Sequence, residues 1–164
     1  MPDTGPQPPH WTEDYRQRID ELIDEYRTTL HDSLNDLTEG EARRSLVPSK
    51  TTLLGLLKHV TFVEGVWFDQ AVTGRSYAAI GIASTVDASF TLRKADTITT
   101  VQAAYRERCE ASRRNLADLR SGDIVDGRGR RAVWALQLQV LRELAQHAGH
   151  ADILREQVLA VRGS

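Results

Sequence analysis

The chain has 164 residues, 21 of them basic and 23 acidic, for a formal net charge of -2. That length suits one domain with a complete core and is short for two. The two signs are interspersed and nearly cancel, so no nucleic-acid partner is expected.

A single cysteine, Cys109, excludes an intramolecular disulfide and suits a reducing compartment. No run of about 18 apolar residues occurs, so no membrane span is expected. Met1–Pro9 lacks the charged and apolar regions of a signal peptide, and the expectation is a soluble, cytoplasmic protein.

Residues 1–10, rich in proline and polar groups, read as a flexible arm, and 11–164 as a single helical domain. Apolar residues then recur at Trp11, Tyr15, Ile19, Leu22, Tyr26, Leu30, Leu34 and Leu37, in steps of three and four. That period predicts an amphipathic helix capped by Thr12 and ended by Gly40. A short turn is expected over Glu39–Leu46. A second helix is predicted from just after Ser49 to about Val72, stopped by Thr73-Gly74, with Leu53, Leu56, Leu57, Val60, Val63, Trp67 and Ala71 on its stripe.

Residues 74–95 keep no helical period and read as a long loop, with Ala88–Leu92 as an extended piece within it. Long ordered loops often border sites. A third helix is predicted from Asp96 or Thr97 to about Leu119, followed by a polar connection over Gly122–Gly129. Cys109 shares the third helix's core stripe with Val101, Tyr105, Ser112 and Leu116, and reads as a buried, inert thiol. A fourth helix should cover roughly Arg131–Val161, with Val133, Leu136, Val140, Leu144, His147, Ala151, Leu154 and Val158 facing the core. The fold class is therefore all-α, a four-helix bundle. The long loop between helices two and three suits an up-down-down-up order.

The most informative segment is Glu143-Leu-Ala-Gln-His147-Ala-Gly-His150 in the fourth helix. At ~100° per residue, Glu143 and His147 lie ~40° apart and His147 and His150 ~60° apart, along the apolar stripe. A carboxylate there is costly unless it is paired or bound to a metal. Either neighbouring pair suits one cation, but Glu143 and His150 are separated by ~10.5 Å along the axis. Geometry alone does not choose between the pairs. His59, on the flank of the second helix, is the natural third ligand from a facing helix. Two imidazoles and a carboxylate would leave one coordination position open for water or substrate. Against this, a lone histidine is most often simply hydrogen-bonded, and Glu143 could pair with an arginine. His10 and His31 read as solvated.

Thr52-Leu-Leu-Gly-Leu-Leu-Lys-His59-Val with Glu64-Gly-Val-Trp-Phe resembles the second helix of the DinB-like metal-binding bundles. Glu143-Leu-Ala-Gln-His147-Ala-Gly-His150-Ala-Asp-Ile-Leu-Arg155 resembles their fourth. The likeness runs from Tyr15 to about Val158 and is closest to the branch allied to mycothiol-dependent enzymes, including maleylpyruvate isomerase. It implies a divalent ion, zinc or nickel, held by His59, Glu143 and His147. Many members carry histidine where this chain has Glu143, which agrees with the histidine-glutamate-histidine set of the isomerase type. His150 stands where relatives often have glutamine and is placed beside the ligands, to orient His147 or move a proton. The larger isomerases carry a further C-terminal domain that this sequence lacks, so the isomerase reaction itself is not carried over.

The function implied is a metal-dependent thiol S-transferase, in which mycothiol or a similar small thiol attacks an electrophilic small molecule. Trp67 and Trp134 are candidates to line the pocket, with plain core packing as the alternative. Asp152 and Arg155 are spaced for a surface ion pair. Two other readings stay open. One is a metal-dependent hydrolase with water in place of the thiol; the other is a non-catalytic metal- or ligand-binding bundle that works through homodimerisation or ligand sequestration.

Overall fold

The computed structural model describes residues 14–162. The expected arm over 1–10, and Trp11 and Thr12, lie outside the described residues. Helix α1 spans Tyr15–Asp32, α2 Glu39–Ala42 and α3 Leu53–Gly65. A π-helical segment, Val66–Gln70, and the short α4, Ala71–Thr73, continue α3 without a break. Then come α5, Tyr77–Ile80; α6, Val86–Phe90; and α7, Ile98–Leu116. A two-stranded antiparallel ribbon pairs β1, Ile124–Val125, with β2, Arg131–Ala132, ahead of α8, Val133–Ala160. Among the described residues the fold is all-α apart from that ribbon.

Local chemistry explains most boundaries. Asp14, Thr52, Thr85 and Thr97 each cap a helix by accepting a hydrogen bond from a backbone N–H three residues on. Thr38 and Glu41 form a reciprocal capping box. Gly74, at φ +76°, ends α4 in the left-handed region that a side chain disfavours. Helix α8 has no side-chain cap. Its first amides, of Val133 and Trp134, donate instead to the carbonyls of Asp123 and Ser121, at 2.9 and 3.0 Å. The ribbon thus serves as the cap.

Several expectations need correction. The first helix is shorter than its apolar period: it stops at Asp32, Asp36 adopts φ +61°, and Leu34 and Leu37 reach the core from the turn that follows. Tyr15 is 66% exposed rather than packed. The segment 74–95 is not one loop, since α5 and α6 lie within it. Ala88–Phe90 is helical rather than extended. Helices of four or five residues are too short to show a period, so only their caps mark them. Arg155 does not pair with Asp152; it donates to the carbonyls of Ser33 and Asn35 at 2.8 and 2.7 Å, pinning α8 to the end of α1.

Helix α1 packs along α8, α3 along both α7 and α8, and α1 also meets α7. Leu30, Leu54, Leu57, Val60, Tyr105, Leu136, Val140 and Leu144 fill the space between them. One charged cluster crosses this core. Glu64, fully buried, accepts two bonds from Arg27, at 2.7 and 2.8 Å, and a third from Ser112 at 2.6 Å. It thereby ties α1, α3 and α7 together. At the foot of the molecule, Gly127 donates its N–H to Ala71 O at 3.0 Å. A Cβ on Gly127 would sit 2.1 Å from Gln70 O, so only glycine allows the ribbon to dock there.

Replacing Glu64 by alanine leaves the Arg27 charge buried without its partner. Urea unfolding should show a loss of about 3–5 kcal/mol, whereas the joint change Glu64→Leu with Arg27→Met should cost far less. Equal losses in the two proteins would mean that the pair is not acting as a charge pair.

Candidate metal centre

Helices α3 and α8 bring together one buried and two half-buried residues. His59 sits in the second turn of α3, and Glu143 and His147 occupy adjacent turns in the middle of α8. One ligand atom of each lies within 4.8 Å of the others, and this is the His/Cys/Asp/Glu group so placed among the described residues. The spacing of four residues puts Glu143 Oε2 and His147 Nε2 3.4 Å apart. The rings of His59 and His147 meet edge to face, with centroids 4.8 Å apart.

Each side chain is held from behind. Gln139 and Arg142 donate to Glu143 Oε1, at 3.2 and 3.1 Å, leaving Oε2 turned toward His147. His147 has Nε2 toward Glu143, and its Nδ1 lies 3.3 Å from Nδ1 of His150. His150 is exposed, beside the cluster rather than in it. His59 Nδ1 lies 2.8 Å from Ser89 Oγ, and the ring of Phe90 stacks on it with centroids 4.0 Å apart. Ser89 and Phe90 belong to α6 and were not expected at the site. The only signal for them was Ser84-Thr85, a capping pair ahead of a very short helix.

Burial sets the protonation of this donor set. It pushes the His59 pKa down to about 4, with His147 adding in the same direction. Burial also lowers that of His147, helped by His150, while Glu143 opposes the shift. Both imidazoles are therefore neutral at pH 7 and have lone pairs to offer. Two neutral nitrogens and one carboxylate oxygen fit a divalent cation such as zinc, since metal binding needs deprotonated ligands. Such a set carries one negative charge, so a dication in it keeps a net positive charge and favours an anionic further ligand.

The two tryptophans are not brought to this cluster. Trp134 opens α8, thirteen residues or ~20 Å along the helix from His147, and is 48% exposed. Trp67 lies eight residues beyond His59, in the π-helical segment, with the guanidinium groups of Arg128 and Arg131 over its ring at 5.4 and 5.6 Å. The helical rise carries both away from the imidazoles. A cleft of about 780 Å³ lies between α3, the 81–96 segment and α7. Phe62 and Ser89 line it, but none of the three ligand candidates does.

Cys109 is buried, and burial together with the nearby Glu64 pushes its thiol pKa up to about 12. A protonated, enclosed thiol is a poor nucleophile. Native protein at pH 7.5 should resist N-ethylmaleimide over hours and take up one label per chain once unfolded in urea, as counted by intact mass. Rapid labelling of the native protein would contradict this placement.

Residues 18–160 match the family described as mycothiol-S-transferase. No curated protein gives a significant match. With the match spanning the chain from α1 to the end of α8, the protein belongs to the mycothiol-S-transferase family.

Proposed function

We propose that the protein is a metal-dependent S-transferase that joins mycothiol, through its sulfur, to an electrophilic small molecule. The observation that carries this reading is the convergence of His59 with Glu143 and His147, ligand atoms within 4.8 Å, in a chain of this family. His59 Nε2, Glu143 Oε2 and His147 Nε2 would hold the ion, a set that suits zinc, with nickel as the alternative. A bound dication would stabilise the thiolate form of the co-substrate and leave one coordination position for it.

The surrounding residues have separate tasks in this reading. Gln139 and Arg142 hold Glu143 Oε1, so that the carboxylate offers a single oxygen. His150, exposed beside His147, takes the proton from the thiol S–H. The sulfur then forms a bond to the electrophilic carbon, and the leaving group departs with the electron pair of the bond it gives up. Cys109 takes no part.

We also infer that the long helices form an up-down-down-up bundle. Arg16 at the start of α1 donates to Leu119 O just beyond α7, while Gln102 near the start of α7 donates to His31 O at the end of α1. Those bonds support antiparallel α1 and α7. Lys58–Asp96 and Asn115–Phe68 O support parallel α3 and α7. Gln137–Asp20 and Arg155–Ser33 O support parallel α1 and α8. In that arrangement the site opens between antiparallel α3 and α8.

The test measures zinc content and conjugation of monochlorobimane to mycothiol together. The wild type should bind close to one zinc and accelerate conjugation only when mycothiol is present. His59→Ala, Glu143→Gln and His147→Ala should each lose most of the metal and fall to the uncatalysed rate. His150→Gln should keep its metal and lose about 10²–10⁴-fold in rate. Full metal content in all three ligand variants would overturn the assignment, and turnover without any thiol would favour a hydrolase.

A further inference from the structure

Consecutive residues of α6 grip the ring of His59. Phe90 lies nearly parallel to it, at 12°, and Ser89 Oγ is 2.8 Å from Nδ1. Ser89 is 1% exposed and His59 5%, so bulk water does not compete for this contact. Stacking fixes the plane of the ring but is indifferent to which nitrogen carries hydrogen. The hydroxyl is not indifferent.

A serine hydroxyl has one proton to give. Ser89 gives it to the carbonyl of Val86, one turn back in α6. Toward His59 the same oxygen can only accept, so Nδ1 must be the protonated nitrogen of the neutral ring. The lone pair is then on Nε2. In the other tautomer two acceptors would face each other in a buried space, and an N–H would take the place of the Nε2 lone pair.

We propose that Ser89 is a positioning residue: the chain from His59 Nδ1–H through Ser89 Oγ to Val86 O selects the tautomer that presents Nε2 as a metal ligand. This rests on His59 being a ligand, as proposed above. The short helix α6, capped by Thr85, holds Ser89 and Phe90 in register for that task. Metal-bound histidines generally depend on such a partner at the other nitrogen, and its loss weakens metal affinity about 10–100-fold.

Two measurements test it. Long-range proton–nitrogen correlation spectra of the metal-free wild type, with His59 signals assigned by their absence in His59→Ala, read the tautomer directly. Zinc affinity is measured by competition with a chromogenic chelator for the wild type, Ser89→Ala, Ser89→Thr and His59→Ala. The expected result is an Nδ1–H tautomer in the wild type. Ser89→Ala should bind zinc about 10–100-fold more weakly, and Ser89→Thr, which keeps the hydroxyl, should recover most of the loss. An Nε2–H tautomer in the wild type overturns the proposal. So does unchanged zinc affinity in Ser89→Ala alongside a loss in His59→Ala. Unchanged affinity in His59→Ala overturns instead the ligand role of His59, while the tautomer spectrum still decides what Ser89 does. Should Ser89→Ala fail to fold, the wild-type spectrum decides by itself.

Discussion

Helix α3 is enclosed on nearly every side, and much of the molecule follows from that constraint. Eleven of its 13 residues, all but Lys58 and Thr61, are buried. A helix buried all round has no solvated face on which to leave polar groups. Each polar side chain on it or on the π-helical segment beyond therefore needs a partner inside. Three do so in three directions. His59 turns to Ser89 and the α8 cluster, Glu64 to Arg27 and Ser112, and Asp69 to Arg75 and Arg108. Lys58 reaches the rim, where Thr91 O and Asp96 receive its ammonium.

These partnerships divide the labour between stability and chemistry. The Glu64 cluster joins α1, α3 and α7 with short, charge-assisted bonds deep in the core. Asp69, 2% exposed, receives Arg108 at 2.8 Å and anchors the π-helical segment to α7. The His59 group is different, because its nitrogen and oxygen atoms face one another without strong internal bonds. His147 and Glu143 are 3.4 Å apart, beyond good hydrogen-bond distance. Groups left that way are free to take a ligand. The Glu64 and Asp69 clusters thus include none of the candidate ligands.

Electrostatics at the centre have the same origin. Desolvation disfavours the charged imidazoles, so the two histidines stay neutral, while Glu143 meets the Arg142 guanidinium at 3.1 Å. The result is a low-charge donor set at the edge of the core, with His59 buried, Glu143 and His147 half-buried and His150 exposed beside them. The 780 Å³ cleft on the α7 side has Ser89 in its wall and none of the three donors.

Periodicity in threes and fours was enough to find the long helices, because each must bury one stripe. Their ends were less legible: Leu34 and Leu37 extend the period of α1 although the backbone has already turned, since a core can be filled from a turn as well as a helix. The Glu143–His147 pair was also visible in the chain itself, being a matter of one helical turn. Which third residue joins it is a long-range fact, set by how α3 packs on α8. Ser89 and Phe90 were hidden for the same reason, as α6 is too brief to leave a period and owes its position to contacts with α3. Trp67 and Trp134, plausible by residue type, are carried away from the site by helical rise alone. Local order thus follows from neighbours along the chain, whereas the choice of ligand, tautomer and partner waits on surfaces that meet only when the helices pack.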